Sequence, residues 1–389
     1  MPKHLLVISE GFAPWGGPAA MRATKLTACG LRRGLRMSVL TTSIGCAHVF
    51  DDPDLATEVS GAEVLRVSNG TDYRLRDSIS RTLGYYPTRF TDRLIALTRT
   101  QWVRNCVQAA QQQWNADRPD AIYCTPPGPQ VADVAQRLSA AWDVPFVVDF
   151  RDPPWEIGLT DEQVEPILRQ SDLAVFNTPP ACEQVKVRHP QHSGKIECWT
   201  NGVDFPSDEL PCSNFEPEAP PSIMFAGGIY AWVVAAITRL QPWVRQNRVK
   251  LEVFAFSEVK RRKQVNALKR VGVSIHQPIS SRALYEKMTT VSGNLVTLPP
   301  EFQISSKIYP AVASGRAVVV YGETASSRSL LQDVPGVYSF QRTSEEVAID
   351  ELLEQVVNYK PVSGWPARYQ WLMPRTWPNI FEGIFARYL

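Results

Sequence analysis

The segment DFRDPPW (149–155) sets Asp149, Arg151, Asp152 and Trp155 directly behind the apolar run PFVV. Two carboxylates and a guanidinium so close together can orient a hydroxyl and accept its proton. They can equally close on themselves, with Asp149 and Arg151 as a structural ion pair capping the next helix. A second group is Ser305-Ser306-Lys307, ahead of the short apolar run IYPAVAS and closed by Gly315-Arg316. A lysine among the exposed N–H groups of a helix start suits an anion, phosphate above all. The plainer reading of Lys307 is a solvent-facing cation. Gly16-Gly17, in the loop GFAPWGGP after the first apolar run, would let a ligand approach the backbone or simply form a tight turn. The GxGxxG nucleotide fingerprint is not matched there.

Other chemistries find less support. The five histidines form no ligand set of recognised spacing; His189 and His192 lie three apart, but Pro190 between them argues against a shared helix face. Asp51-Asp52 falls in a loop and reads as surface, and no Asp-x-Asp pair ends a strand. Seven cysteines, an odd number without a CxxC pair, read as scattered thiols of a cytosolic protein. Lys+Arg is 41 against Asp+Glu 39, which gives no general polyanion signal. The apolar run at the N-terminus is too short for a signal peptide or a membrane span, so the expected place is the cytoplasm, on a membrane surface at most.

These groups need elements to position them. Apolar runs HLLVISE (4–10), MSVLTT (37–42), AEVLRVS (62–68), DAIYC (120–124), PFVVDF (145–150), SDLAVFN (171–177) and ECW (197–199) read as strands with helices between them. A Pro-rich, acidic stretch without periodicity (205–221) reads as a linker. Beyond it SIMFAGGIY (222–230), VKLEVFAFS (249–257), VSIHQPIS (273–280), NLVTLPP (294–300) and AVVVYG (317–322) repeat the alternation. At 389 residues, two domains are expected: 1–204 and 222–365, with an aromatic C-terminal helix in 366–389 crossing back to the first. The fold class is α/β, two doubly wound domains facing across a cleft. Ligands of such sheets sit at the carboxyl ends of the strands, where the candidate residues fall. Between the third and fourth strands, residues 71–105 carry seven arginines (74, 76, 81, 89, 93, 99 and 104) against three aspartates, interleaved with aromatics. This is an amphipathic helix with a solvated arginine face, or a surface for anionic lipid or a phosphorylated acceptor.

Taken in order, GFAPWGGPAAMR, TPPGP with DFRDPPW, the turn Asn201-Gly202-Val203-Asp204, FAGG and SSKIYPAVASGRAVV resemble the motifs of GT-B fold glycosyltransferases of the retaining family 4. The resemblance runs from the first strand to about residue 345. It implies two Rossmann-like domains and metal-independent transfer of a sugar from a nucleotide-sugar to a hydroxyl of a glycan, glycolipid or metabolite. No cofactor is implied, the nucleotide-sugar being a co-substrate, and no nucleic-acid partner. It assigns the acceptor side to Gly16, Gly17 and Arg22, and acceptor orientation to Asp152 with Asp149 and Arg151 in support. It assigns the donor side to Gly227, Gly228, Glu301, Ser305, Ser306 and Lys307. The chain departs from the pattern in two places. Pro310 stands where a helix glutamate would hold the ribose, and no cation follows FAGG until Arg239, leaving residues 260–263 to compensate. Those departures leave room for a non-catalytic binding protein of the same fold, or an enzyme joining cyclitol units.

Overall fold

The run His4–Ser9 is buried at all six positions, as a strand covered on both faces requires. It is an interior strand of a seven-stranded sheet in a computed structural model of the chain, which describes residues 2–43, 50–68, 88–126, 128–204, 209–212, 219–255, 262–298 and 304–389. The sheet comprises β1 (His4–Ser9), β2 (Arg36–Thr42), β3 (Glu63–Val67), β4 (Ala121–Thr125), β5 (Phe146–Phe150), β6 (Leu173–Phe176) and β7 (Ile196–Cys198), in the order β3-β2-β1-β4-β5-β6-β7. Leu5 lies between Met37 and Ala121, and all pairs are parallel. The connections include α1 (Pro18–Arg32), α2 (Pro53–Glu58), α3 (Thr88–Trp114), α4 (Pro129–Trp142), α5 (Asp161–Gln170) and α6 (Pro179–Arg188). Alternate strand residues feed two cores: Leu6, Ile8 and Val148 join one, Leu5, Val7 and Val147 the other.

The second sheet contains β8 (Ser222–Ala226), β9 (Lys250–Phe254), β10 (Ser274–His276), β11 (Gly293–Thr297), β12 (Ala317–Tyr321) and β13 (Val337–Phe340), in the order β10-β9-β8-β11-β12-β13. Its helices are α7 (Ala231–Gln246), α8 (Arg262–Arg270), α9 (Ser281–Thr290), α10 (Ile308–Ala313), α11 (Ala325–Leu331), α12 (Glu346–Val357) and α13 (Trp365–Leu372), and the chain closes with α14 (Trp377–Phe385). Both sheets reverse their winding once, between β1 and β4 and between β8 and β11. These are doubly wound Rossmann-like arrangements.

The first unit comprises Met1–Thr200 with Trp377–Leu389, the second Asn201–Thr376. Trp377, Ile380, Phe381, Ile384 and Phe385 of α14 lie in the core of the first unit, where Phe385 meets Tyr123 edge-on at 5.5 Å. Helix α13, counted with the returning segment on sequence, stays with the second unit. There its buried Arg368 donates to the carbonyls of Pro335 (2.6 Å) and Arg316 (2.7 Å). Helix α3 buries Trp102, Val103, Cys106, Ala110 and Trp114 and exposes Arg99 and Arg104, an amphipathic helix with arginines in solvent. The structure of 71–87 and the side chains of Arg89 and Arg93 lie outside the described residues. Among the described residues, no helix is long and apolar enough to cross a membrane.

Candidate functional site

In the first unit the candidate residues converge at the carboxyl ends of β1, β4 and β5. Asp149 is fully buried inside β5. Its Oδ2 accepts Nε of Arg22 at 2.6 Å and the Tyr123 hydroxyl at 2.8 Å. Arg22, also buried, donates its remaining nitrogens to the carbonyls of Thr200 (2.7 Å) and Trp199 (2.8 Å). The Asp149 carboxylate helps hold Arg22 charged against burial, and burial pushes the Tyr123 phenol well up. This overturns two expectations. Arg22 is committed to protein partners and cannot serve as a direct acceptor contact. Asp149 pairs with Arg22, not Arg151. Its Oδ1 and the Thr125 hydroxyl are buried without a partner among the described residues.

Arg151 and Asp152 follow β5 and are half-buried. Arg151 reaches the Pro18 carbonyl at 3.3 Å, tying the loop to the start of α1. Burial raises the Asp152 carboxyl and the neighbouring Arg151 opposes that rise. Trp155 packs against the core with the Arg188 guanidinium 4.4 Å from its ring centre.

The two loop glycines do different things. A Cβ on Gly16 would fall 2.4 Å from the Phe50 ring, and Gly16 N–H bonds the Phe50 carbonyl at 2.7 Å. The close approach there is to Phe50. Gly17 turns the chain at φ 98° and Pro18 opens α1, whose free N–H it does not need. Asp52 is buried, not superficial: it caps α2 through Asp54 N–H at 3.1 Å.

Sequence reasoning missed Glu10 and Gln130. They are hydrogen-bonded to each other where the winding reverses between β1 and β4. The available signal was position: Glu10 directly follows an apolar strand, at the edge where open sheets hold ligands.

In the second unit, Gly227-Gly228 follow β8 and Lys307 precedes α10, both at the carboxyl side of the sheet. A Cβ built on Gly227 would lie 3.0 Å from Cε and 3.2 Å from Nζ of Lys307. Gly227 has φ 148°, so both its backbone and the lysine exclude a side chain. Burial lowers the Lys307 pKa, and among the described residues its ammonium has no hydrogen-bond or ion-pair partner. Residues Ser305 to Lys307 form a turn ahead of a six-residue helix rather than its first turn. Ser305 Oγ accepts Lys307 N–H at 3.4 Å. Ser305 and Ser306 are half-buried. Pro310 lies inside α10, with no acceptor to offer a ribose. Glu301 and Lys260-Arg261 lie outside the described residues, as does the side chain of Arg262; Lys263 is exposed.

No protein-family model matches the chain, and no curated protein matches it in sequence. Solved structures do match in fold. Sucrose-phosphate synthase from Thermosynechococcus elongatus aligns with a TM-score of 0.67 at 13% identity, over 99% of this chain and 98% of that one. Anabaena HepE, solved with UDP and glucose, aligns with a TM-score of 0.66 at 12% identity over 99% of both chains. TarM aligns at 0.65 and 8% identity, over 99% of this chain and 98% of its own. At such identities the likeness is one of fold, and that fold is GT-B.

Proposed function

From a chain with the GT-B fold, we propose a glycosyltransferase that moves a sugar from a nucleotide-sugar to a hydroxyl of a glycan, glycolipid or metabolite. The observation that carries this is Lys307. A half-buried ammonium whose pKa burial lowers, with no counter-ion among the described residues and set against a glycine backbone at the strand ends, suits an anion, and a diphosphate supplies one. The presence of UDP with HepE makes UDP the first donor nucleotide to try.

In this reading the bond from the anomeric carbon to the diphosphate oxygen breaks. The electron pair goes to the diphosphate, where Lys307 and the amides around Gly228 stabilise it. Asp152, as carboxylate, accepts a hydrogen bond from the acceptor hydroxyl and aims its oxygen at the anomeric carbon; as the new C–O bond forms, the hydroxyl proton passes to the departing diphosphate oxygen. The Arg22–Asp149–Tyr123 network fixes the floor beneath it. Retention at the anomeric carbon and independence of metal belong to the same proposal.

The test is calorimetry with UDP, GDP, ADP, CMP and dTDP on the native chain and on Lys307→Ala. One nucleotide should bind, and the variant should weaken it about 10- to 100-fold, the worth of a charge-assisted hydrogen bond. Failure of every nucleotide to bind folded protein would sink the reading. Binding without transfer to any acceptor would favour the non-catalytic alternative that Pro310 raises.

A further inference from the structure

A second group of cations lies at the other end of the second sheet. The C-terminal turn of α7, the start of β9 and the edge strand β10 enclose a groove of about 540 Å³. That is within the span of small-molecule sites, about 300–1,000 Å³. Arg245, Arg248, Lys250 and His276 line it, with Glu252 as its acid. Glu252 is already answered by Lys287 at 2.8 Å and His276 at 3.7 Å, so the groove is net positive. Among the described residues, the side chains of Arg248 and Lys250 make no hydrogen bond or ion pair. Arg245 gives one nitrogen to the Val271 carbonyl at 2.8 Å.

Arg248 is held in the left-handed region at φ 54°. It occupies the position that closes a helix, where Val249 N–H returns to the Val244 carbonyl at 3.0 Å. Glycine is the usual residue there because a Cβ strains that backbone. This chain follows the habit after α1, α8 and α10, with Gly34, Gly272 and Gly315, and departs from it after α4 with Asp143 (φ 56°), a short polar residue that tolerates this backbone. After α7 it carries a long cation that lines the groove. Strain kept where glycine would relieve it points to a use for the side chain.

We propose that this groove is a second anion site, separate from the Gly227–Lys307 end, for a ligand bearing a phosphate or pyrophosphate group. Lys250 opens β9 opposite Ser222, whereas Gly227 follows the opposite end of β8. The chemistry is shared by a free phosphorylated metabolite and an anionic lipid headgroup, and the experiment separates them.

Inorganic pyrophosphate is titrated into Lys307→Ala, so that the other site is weakened about 10- to 100-fold. It should still bind. Arg248→Gly in that background should weaken binding about tenfold, as should Lys250→Ala, and binding should fall with added salt. Arg248→Gly relieves the backbone, so its melting temperature should hold or rise while the pyrophosphate-induced shift shrinks. Parallel sedimentation with vesicles of phosphatidylcholine containing phosphatidylglycerol reads the second source. Arg248-dependent sedimentation assigns the headgroup, and pyrophosphate binding alone assigns a soluble ligand. Absence of both, or binding indifferent to Arg248 and Lys250, overturns the proposal.

Discussion

Asp149→Asn keeps the shape of the side chain and removes its charge. Arg22 and Asp149 are 1% and 0% exposed and meet at 2.6 Å. The substitution therefore strands a guanidinium with only two carbonyls to hold it. Breaking a buried pair in this way costs about 3–5 kcal/mol, a large part of a typical total of about 5–15 kcal/mol. Arg22→Met should cost a similar amount by stranding the carboxylate. The double variant Arg22→Met/Asp149→Asn removes both charges. It should cost about 2–3 kcal/mol less than the sum of the single changes, the coupling expected of residues in direct contact. Native-state hydrogen exchange on peptides from α1 and β5 gives the free energies locally, so stability of the second unit does not confuse the result. Single changes costing under about 1 kcal/mol, or additive effects, would refute the view that each charge is held by the other. Transfer activity supplies a further check. A purely supporting role predicts that activity follows stability; loss of activity in a well-folded double variant would mean that Asp149 acts on substrate directly.

Four further outcomes follow from the geometry. UDP binding should weaken as pH rises through the lowered pKa of Lys307, below the ordinary lysine range, because the ammonium loses its charge. In the unliganded protein the same lowering makes charged Lys307 a destabilising group, so stability to unfolding should rise between its folded-state pKa and the ordinary lysine value. Asp152 should give the pH–rate profile an acid limb above the usual aspartate range, activity falling as the carboxyl protonates, and Asp152→Asn should remove that limb. Removing residues 377–389 deletes five core side chains that are each at most 3% exposed. At about 1.5–3 kcal/mol each, that loss should leave the first unit unfolded by circular dichroism and limited proteolysis.

Much of the fold was legible because a buried parallel strand announces itself within a few residues. HLLVIS, FVVDF, LAVF and AVVVY are apolar runs bounded by polar turns, and all became strands. Short edge strands were harder: the expected strand at 273–280 shrinks to Ser274–His276, and half-buried β13 was not singled out at all. An edge strand needs few apolar residues, so its pattern is faint. Of the donor-side residues, Gly227 and Lys307 do come together, since both mark strand or helix ends on one side of the sheet.

What the sequence by itself determined is local: which segments are strands and helices, where they turn, and that the polar clusters fall at strand ends. Tertiary structure alone decided partners and exposure. Arg22 meets Asp149 across 127 residues, Phe50 fills the space beside Gly16, Asp52 is buried, and α14 completes the core of the first unit after the whole second unit has intervened. Periodicity records the backbone conformation of neighbours in the chain, which a few residues settle among themselves. Whether a charge is neutralised, stranded or free to bind depends on groups brought beside it by packing, and those are set by the fold as a whole.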